Sequence, residues 1–367
     1  MATKKITNNL PGRVVLVLQG GGALGAYHVG VYEALHKAGI EPEWIIGTSI
    51  GAINGALIAG NKPENRMQQL LAFWDQMVQR TFHFPYDPAC VSNMLANMSI
   101  IMNGLPAFFR PNNAAIWGNY AKLGIEEAAY YCTEPLANTL NELIDFDEIN
   151  TAGNTRLTVG AVNVTKGSMR YFDSSTTAID IKHVMASGAL PPAFGAIRID
   201  GEPYWDGGIY SNTPIEAVLD DNPRRDAMIF AVNVWHQTGP EPETIAEVLA
   251  RQKDIQFASR ADHHIHKQKQ IHKLRHIIRE LGKQLSATKQ ASPEIKELTA
   301  WGCGTTMHVA HLIAPRLERE DQNKDIDFSF AGVNARRAAG YADTMNMIER
   351  APWSMEADPI EGIIEYY

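Results

Sequence analysis

The chain has 367 residues, of which 45% are hydrophobic and 20% are charged, and its formal net charge is -8 at pH 7. This composition excludes a disordered chain and a polycation that coats nucleic acid, and the length suits one large α/β domain with or without a sizeable appendage. No run of roughly 18 apolar residues is present, so any lipid is expected to be met at a surface.

The first apolar run, Val14 to Leu18, is too short for the apolar core of a secretion signal. We therefore expect a cytoplasmic protein, with peripheral membrane contact as a further option. Cys90, Cys132 and Cys303 lie far apart and form no C-x-x-C pair, which argues against a disulfide framework and against a zinc site. No metal, other cofactor or nucleic acid is expected as a partner.

The first four predicted elements alternate between strand and helix. Residues Arg13 to Leu18 are apolar and stop at a glycine cluster, as a buried parallel strand does before a helix. Small and apolar residues recur at helical spacing from Gly25 to Ala38, and Trp44 to Ile46 form a second short strand. The segment after Ser49 is a helix of small residues. This order predicts an α/β fold with three α/β/α layers and a mainly parallel central sheet.

Later apolar segments are expected to add strands to that sheet, namely Arg156 to Val164, Met169 to Asp173, Met228 to Val234 and Met307 to Ile313. The polar, proline-bearing stretch Gln237 to Pro242 is the predicted boundary between two units. We expect a first domain over residues 12–237 and a mostly helical extension over residues 238–367, packed on that domain or on a partner subunit.

Residues 80–117 lack clean periodicity and carry large aromatic residues and methionines. These residues are Phe82, Phe84, Tyr86, Met94, Met98, Met102, Phe108, Phe109 and Trp117, with Pro85 among them. A long segment of this kind is often a lid or a binding loop, and its flexible apolar side chains suit an acyl chain. The alternative is a loop that packs its aromatic residues onto the core. The sequence leaves both interpretations open.

Residues 243–285 are predicted to be helical, with a basic surface in an otherwise acidic chain. One apolar stripe is indicated by residues that repeat at a spacing of three and four, namely Ile271, Leu274, Ile278, Leu281 and Leu285. The basic faces could serve anionic lipid head groups. Two heptads are enough to dock but too few to define a membrane anchor, so we favour a helical hairpin packed on the body or on a second copy, as in a homo-oligomer.

The first candidate motif is the glycine-rich loop between the first strand and the first helix. Gly20, Gly22 and Gly25 match the dinucleotide-binding pattern G-x-G-x-x-G. That fingerprint also needs an acidic residue at the end of the second strand. Here the second strand ends in Gly47-Thr48-Ser49 instead, which weakens the nucleotide-binding interpretation.

The second motif is the G-x-S-x-G sequence from Gly47 to Gly51, preceded by a predicted strand and followed by a predicted helix. This context is the one that a nucleophile elbow requires, because a strained turn there lifts the serine hydroxyl above the edge of the sheet. The flanking glycines are needed because side chains would collide with the neighbouring strand and helix. Ser49 is therefore the candidate nucleophile.

A serine hydroxyl needs a base to take its proton. The histidines between His263 and His276 lie on the basic helix, and His308 and His311 fall within a predicted strand. Asp206 is followed by Gly207 and Gly208, which allow a tight turn that can present its carboxylate to another loop. Asp206 is therefore the candidate base.

Two other groups of polar residues are given structural interpretations. His28 lies in the first turns of the first helix, where a buried histidine is more often structural than catalytic. Asp321, Asn323 and Asp325 resemble the start of a calcium loop, but Ile326 replaces its glycine, which favours a surface turn.

Taken together, the glycine-rich loop, the Ser49 elbow, the segment from Ala186 to Phe194 and the Asp206-Gly-Gly motif resemble the patatin-like phospholipase family. The resemblance spans about residues 14–211. It implies a Ser49–Asp206 dyad without histidine or metal, an oxyanion hole at Gly20, Gly21 and Gly22, and cleavage of acyl chains from glycerolipids. The part after Gln237 resembles a C-terminal extension of bacterial members.

Without a histidine, Asp206 must take the Ser49 proton, so we expect burial to raise its pKa. Two positions depart from the family pattern, because Leu24 stands where a lysine or arginine is common and Gln19 where an aspartate is common. The loop thus supplies no charge for a phosphate. Phospholipid, neutral lipid and thioester substrates, acyl transfer, and a non-catalytic lipid-binding role remain as alternatives.

Overall fold

The computed structural model describes residues 10–79, 98–118, 120–258, 261–317, 320–355, 358 and 360–367. Part of the irregular segment of the sequence analysis therefore lies outside the described residues, including Phe82, Phe84, Pro85, Tyr86, Cys90 and Met94. The side chain of His263 is likewise outside them.

Within these ranges, a nine-stranded sheet forms the centre of the protein. Its strands are β1 (Arg13–Leu18), β2 (Trp44–Thr48), β5 (Arg156–Asn163), β6 (Ser168–Asp173), β7 (Ile197–Ile199), β8 (Glu202–Asp206), β9 (Ala227–Asn233), β10 (Met307–Ile313) and β11 (Ile363–Tyr366). Two short strands, β3 (Arg110–Pro111) and β4 (Tyr131–Cys132), pair separately and antiparallel.

The strands from β11 through β10, β9, β1 and β2 to β5 are neighbours in that order and run parallel. The strands β6 and β8 pair antiparallel with β5, and β7 pairs antiparallel with β8. The predicted mainly parallel sheet is confirmed. The three strands that the sequence did not predict, β7, β8 and β11, are short and carry a correspondingly weak periodic signal.

Helices cover both faces of the sheet. They are α1 (Ala26–Lys37), α2 (Ile50–Ala59), α3 (Pro63–Met77), α4 (helical residues 98–103), α5 (Glu134–Leu143), α6 (Phe146–Asn150), α7 (Ile181–Ser187), α8 (Glu216–Leu219), α9 (Ile245–Phe257), α10 (Ala261–Lys283), α11 (Ala287–Gln290), α12 (Pro293–Thr299) and α13 (Phe330–Arg350). No helix within the described ranges is long and apolar enough to cross a membrane.

The side chains of β1 show how the layers are built. Leu16 and Leu18 belong to one buried cluster with residues of α1, α2 and α13, whereas Val15 and Val17 belong to a second cluster with residues of α8 and α10. Successive side chains of a strand point to opposite faces, so each face of β1 has its own core. This arrangement confirms the predicted three-layer α/β/α architecture.

Residues 238–367 contribute β10 and β11 to the central sheet as well as helices. The boundary near residue 237 stays a prediction. The last long helix, α13, packs closely against α1 at two glycines. A Cβ atom on Gly30 would lie 1.8 Å from the carbonyl oxygen of Arg337, and one on Gly340 would lie 2.2 Å from that of Tyr27.

Exchange of Gly30 for Ala is therefore expected to lower the free energy of unfolding by roughly 1 to 2 kcal/mol, since an overpacking cost of about 2 to 3 kcal/mol outweighs the gain of about 1 kcal/mol in helix propensity. Denaturant unfolding measures the change. The control is Ala338→Gly at an exposed position of α13, which is expected to cost about 1 kcal/mol through propensity alone. A Gly30→Ala protein more stable than the native one contradicts this packing.

The apolar stripe predicted on α10 is only partly covered by the rest of the described chain, with Ile271 and Ile278 half-buried. Leu274 and Leu281 are 60% and 59% exposed, whereas His272 and His276 are buried. A polar side chain can be buried on this face of α10 where it has a hydrogen-bond partner. For example, His276 Nε2 lies 2.9 Å from the carbonyl oxygen of Thr305. Assembly of two copies through this helix remains a prediction.

Candidate active site

Ser49 lies in the turn between β2 and α2. Its φ of 57° is in the left-handed region, which costs energy for a residue with a side chain and is characteristic of a nucleophile elbow. A Cβ atom on Gly47 would lie 2.4 Å from the backbone of Gly51, and one on Gly51 would lie 2.2 Å from the carbonyl oxygen of Leu18. The expected need for both flanking glycines is confirmed.

A second serine holds this turn in place. The backbone N–H of Ser49 donates to the hydroxyl of Ser187 (3.0 Å), which donates to the carbonyl oxygen of Gly160 (2.7 Å). Ser187 ends α7 and lies in the segment from Ala186 to Phe194 that the sequence singled out. The sequence pattern identified the segment but not the role of Ser187.

The register around β5 explains how Asp206 reaches Ser49. Thr48, at the end of β2, lies opposite Gly160, and Asp206, at the end of β8, lies opposite the next residue, Ala161. The strands β2 and β8 thus pair with successive parts of β5, so the end of β2 at Thr48 lies next to the end of β8 at Asp206. Asp206 is the last residue of β8, a strand that the sequence did not predict, and the turn at Gly207 and Gly208 begins after it.

The carboxylate of Asp206 is fully buried. Its Oδ1 accepts a hydrogen bond from the backbone N–H of Gly208 (2.7 Å), while its Oδ2 has no hydrogen bond of standard geometry within the described part of the chain. Burial raises the pKa of Asp206 to about 7, and hydrogen bonding by Ser49 and by the N–H of Gly208 opposes part of that rise. The direction agrees with the expectation from sequence.

The glycine-rich loop offers two free backbone donors rather than three. The N–H of Gly20 donates to the carbonyl oxygen of Asn212 (3.1 Å), so Gly20 is not available as an oxyanion donor, contrary to the expectation. The N–H groups of Gly21 and Gly22 make no hydrogen bond within the described ranges. Gly22 has a φ of 55°, and a Cβ atom there would lie 2.3 Å from the carbonyl oxygen of Asp325.

Three polar side chains that the sequence did not assign to the site fix this loop. The carbonyl oxygen of Gly20 accepts from Asn212 Nδ2 (3.0 Å) and from Trp235 Nε1 (2.8 Å). The buried Gln19 accepts from the N–H groups of Val234 (2.5 Å) and Trp235 (2.9 Å) through Oε1. A neutral amide at position 19 thus ties the loop to the segment after β9, and Leu24 is buried in the core.

An apolar cleft of about 1120 Å³, including its part open to solvent, leads to Ser49 and Asp206. Its apolar walls include Ile50, Ile53, Ile100, Phe108, Phe109, Leu190 and Phe194. Phe108 and Phe109 come from the irregular segment and are also buried, so these two aromatic residues both pack on the core and line the cleft, whereas Trp117 is exposed. Whether this segment moves as a lid stays a prediction.

The C-terminal region closes one side of the cleft, a contribution that the sequence did not predict. Phe257, Asp325, Ile326 and Phe328 line it. The carboxylate of Asp325 accepts from Lys253 Nζ at 2.7 and 3.0 Å. Asp325 therefore belongs to the cleft wall and not to a surface turn.

No histidine among the described residues lines the cleft. His28 is buried in α1, its Nδ1 lies 3.2 Å from Asn54 Nδ2, and burial lowers its pKa to about 3. His308 contacts Tyr366, and His311 contacts Glu365 at the far end of the sheet. Within the described ranges, no group of three or more histidine, cysteine, aspartate or glutamate side chains is placed to hold a metal ion.

Two family models match the chain. One, described as patatin-like phospholipase, matches residues 16–219, which include Ser49 and Asp206. The other, described as patatin phospholipase, matches residues 255–360, which include Phe257 and Phe328.

Individual relatives match over shorter stretches. Patatin-like phospholipase domain-containing protein 6 of Mus musculus is 44% identical over 61 residues, which cover 17% of this chain and 4% of that protein. Lysophospholipase nte1 of Aspergillus terreus is 57% identical over 56 residues, which cover 15% of this chain and 4% of that protein. The chain thus spans a small part of the length of these relatives. The crystal structure of VipD from Legionella pneumophila matches with a TM-score of 0.40 and 17% identity over 93% of this chain and 67% of that one.

Proposed function

This chain belongs to the patatin-like phospholipase family, and from that premise we propose that it is a lipid acyl hydrolase in which Ser49 is the nucleophile and Asp206 is the base. One observation carries the proposal. Asp206 is fully buried beside Ser49, and its pKa is raised to about 7. A carboxylate with that pKa is a far better proton acceptor near neutral pH than a solvated aspartate.

In the first half of the reaction, the ester carbonyl lies between Ser49 and the glycine-rich loop. Asp206 takes the hydroxyl proton as Ser49 Oγ bonds to the carbonyl carbon, and negative charge develops on the carbonyl oxygen. The free N–H groups of Gly21 and Gly22 donate to that oxygen, and one such donor is typically worth about 3 kcal/mol. The intermediate then collapses, Asp206 returns the proton to the leaving alcohol, and an acyl-serine remains.

In the second half, water replaces the alcohol. Asp206 takes a proton from the water as its oxygen attacks the acyl carbon, and the same two N–H groups stabilise the second oxyanion. When the carbon–oxygen bond to Ser49 breaks, the proton passes to Ser49 Oγ. The free fatty acid leaves and the site is restored.

The apolar walls of the cleft favour the acyl chain as the part of the substrate that the protein recognises. The described lining carries aliphatic and aromatic side chains next to Ser49, and the carboxylate of Asp325 in the wall is paired with Lys253. Leu24 supplies no charge for a phosphate. The proposal therefore assigns specificity to the acyl chain and leaves the head group open.

Chain-length dependence tests this assignment. With p-nitrophenyl esters of increasing acyl length, we expect kcat/KM to rise about fourfold per methylene until the cleft is filled, because each buried methylene is worth about 0.8 kcal/mol. Phe109→Ala is expected to flatten this rise, whereas Trp117→Ala, which changes a side chain that is 79% exposed, leaves it unchanged. Values of kcat/KM that do not depend on chain length contradict the acyl-binding role, and an absence of hydrolysis of esters and lysophospholipids contradicts the proposed function.

A further inference from the structure

A second hollow lies at the edge of the sheet opposite Ser49. Residues 222–224 lead into the amino end of β9, and residues 300–303 lead towards that of β10, while Arg275 belongs to α10. Both strands run parallel to β1 and β2, whose carboxyl ends carry the glycine-rich loop and Ser49. A ligand in this hollow is thus separated from the cleft by the length of the sheet.

Arg224 and Arg275 line this hollow without a counter-ion. The structure shows no ion pair and no hydrogen bond of either guanidinium group to any of the residues it describes. The Nε atom of Arg224 and the Nη1 atom of Arg275 are buried and unpartnered. Burying a cationic donor without an acceptor is costly, so an anion that accepts hydrogen bonds from these nitrogen atoms would be stabilised here.

The electrostatics around the two arginines agree with that interpretation. Burial lowers the pKa of Arg275, and the nearby charge of Arg224 lowers it further, against smaller opposite effects of Cys303 and Asp220. Asp220 also lines the hollow, but its carboxylate accepts from Gln268 Nε2 and lies 3.6 Å from His264 Nε2.

The other carboxylates of this region are engaged as well. Asp221 pairs with Arg13 (2.7 Å) and with Arg156 (3.2 Å), and Asp226 accepts from the N–H of Thr306 (2.8 Å). These contacts leave the two positive charges of the hollow without a dedicated partner.

His272 adds a further polar group beside the pair. It is fully buried, and neither ring nitrogen makes a hydrogen bond of standard geometry within the described ranges, although the backbone of Leu219 lies close enough to favour its protonation slightly. Burial lowers its pKa to about 4, with further lowering by Arg275 and Arg224, so the ring is neutral at pH 7 and adds no repulsion.

We propose that Arg224 and Arg275 form a binding site for a phosphate-bearing anion, separate from the cleft at Ser49. Guanidinium groups bind phosphate with two parallel hydrogen bonds, and two of them side by side match its charge. Trp301 is 68% exposed at the rim and can cover an organic part of the ligand. The phosphate belongs either to a soluble compound or to a lipid head group.

Thermal unfolding in inorganic phosphate, compared with chloride at equal ionic strength, tests the site without measuring hydrolysis. We expect a saturable rise in Tm at millimolar phosphate for the native protein. The same rise is expected for the control variant Arg225→Gln, because Arg225 is an exposed residue of the same loop. The rise is expected to be lost in Arg275→Gln and in Arg224→Gln. Without phosphate, Arg275→Gln is expected to unfold at the native Tm or above, because a like-charge repulsion is relieved.

Sedimentation with vesicles distinguishes the two sources of phosphate. Binding to phosphatidylglycerol vesicles but not to phosphatidylcholine vesicles, lost in Arg275→Gln, assigns the site to a head group. A phosphate response without such binding assigns it to a soluble ligand. The proposal is overturned if native protein and both variants respond equally to phosphate, or if phosphate has no effect and vesicle binding does not depend on the two arginines.

Discussion

Exchange of Asp206 for Asn is expected to lower kcat/KM for an acyl ester roughly 10²- to 10⁴-fold, and at the same time to stabilise the folded protein at pH 8. The first effect follows because an amide cannot take the Ser49 proton, and general base catalysis is typically worth that factor. The second follows because Asn carries no charge in a site where burial raises the pKa of Asp206 from 3.8 to about 7.

The sign of the stability effect follows from linkage. The folded state holds the proton of Asp206 more tightly than the unfolded state does, so this stabilisation is fully present below pH 3.8 and is lost as the pH rises through about 7. The shift corresponds to roughly 4 kcal/mol at about 1.4 kcal/mol per pH unit. The variant is therefore expected to exceed the native protein in unfolding free energy at pH 8, and the difference is expected to shrink towards pH 4.

Urea unfolding at several pH values measures this difference, with Asp75→Asn, an exposed aspartate of α3, as the matched control. The activity of the native enzyme supplies an independent check. We expect kcat/KM to rise about tenfold per pH unit and to level off near pH 7, since it reports the ionisation of the free enzyme. A plateau that already begins at pH 5, together with an Asp206→Asn protein less stable than the native one at pH 8, contradicts the raised pKa.

Exchange of Ser49 for Ala is expected to lower the rate of ester hydrolysis by a factor on the order of 10⁴ to 10⁶, as loss of the covalent nucleophile does in serine hydrolases. Only the hydroxyl oxygen is removed, and the N–H that donates to Ser187 is kept, so the turn and the Tm are expected to be preserved. Initial rates on a medium-chain ester measure the loss.

The control for this exchange is Ser99→Ala. Ser99 is an exposed serine on α4, beside the cleft-lining Ile100, and its loss is expected to leave kcat/KM unchanged. If Ser49→Ala keeps more than about a tenth of the native rate, the chemistry belongs to another residue.

Much of the fold was predictable because its signals are local. The buried run of β1, the glycines after it and the small-residue helix after Ser49 are contiguous patterns that periodicity and turn chemistry decode. The positive φ of Ser49 and the contacts of Gly47 and Gly51 agree with the predicted elbow. The strand that carries Asp206 was missed because β8 has five residues and is recognised only by its pairing with β5.

The remaining features depend on tertiary contacts that no local pattern encodes. The N–H of Gly20 is used by Asn212, which lies far away in sequence, so the loop has fewer free donors than its glycines suggested. The part of the cleft wall that Phe257 and Phe328 form comes from the C-terminal region. On α10, Leu274 and Leu281 are exposed while His272 and His276 are buried, because the hydrophobic period defines an apolar stripe but does not determine which face of the helix packs against the rest of the chain.

The most direct test of the central claim is incubation with a fluorophosphonate probe followed by peptide mapping. The account predicts one labelled peptide that contains Ser49, labelling that is absent in Ser49→Ala, and slower labelling of the same peptide in Asp206→Asn. Labelling of a different residue, or an unlabelled Ser49 in a preparation that hydrolyses acyl esters, would contradict it.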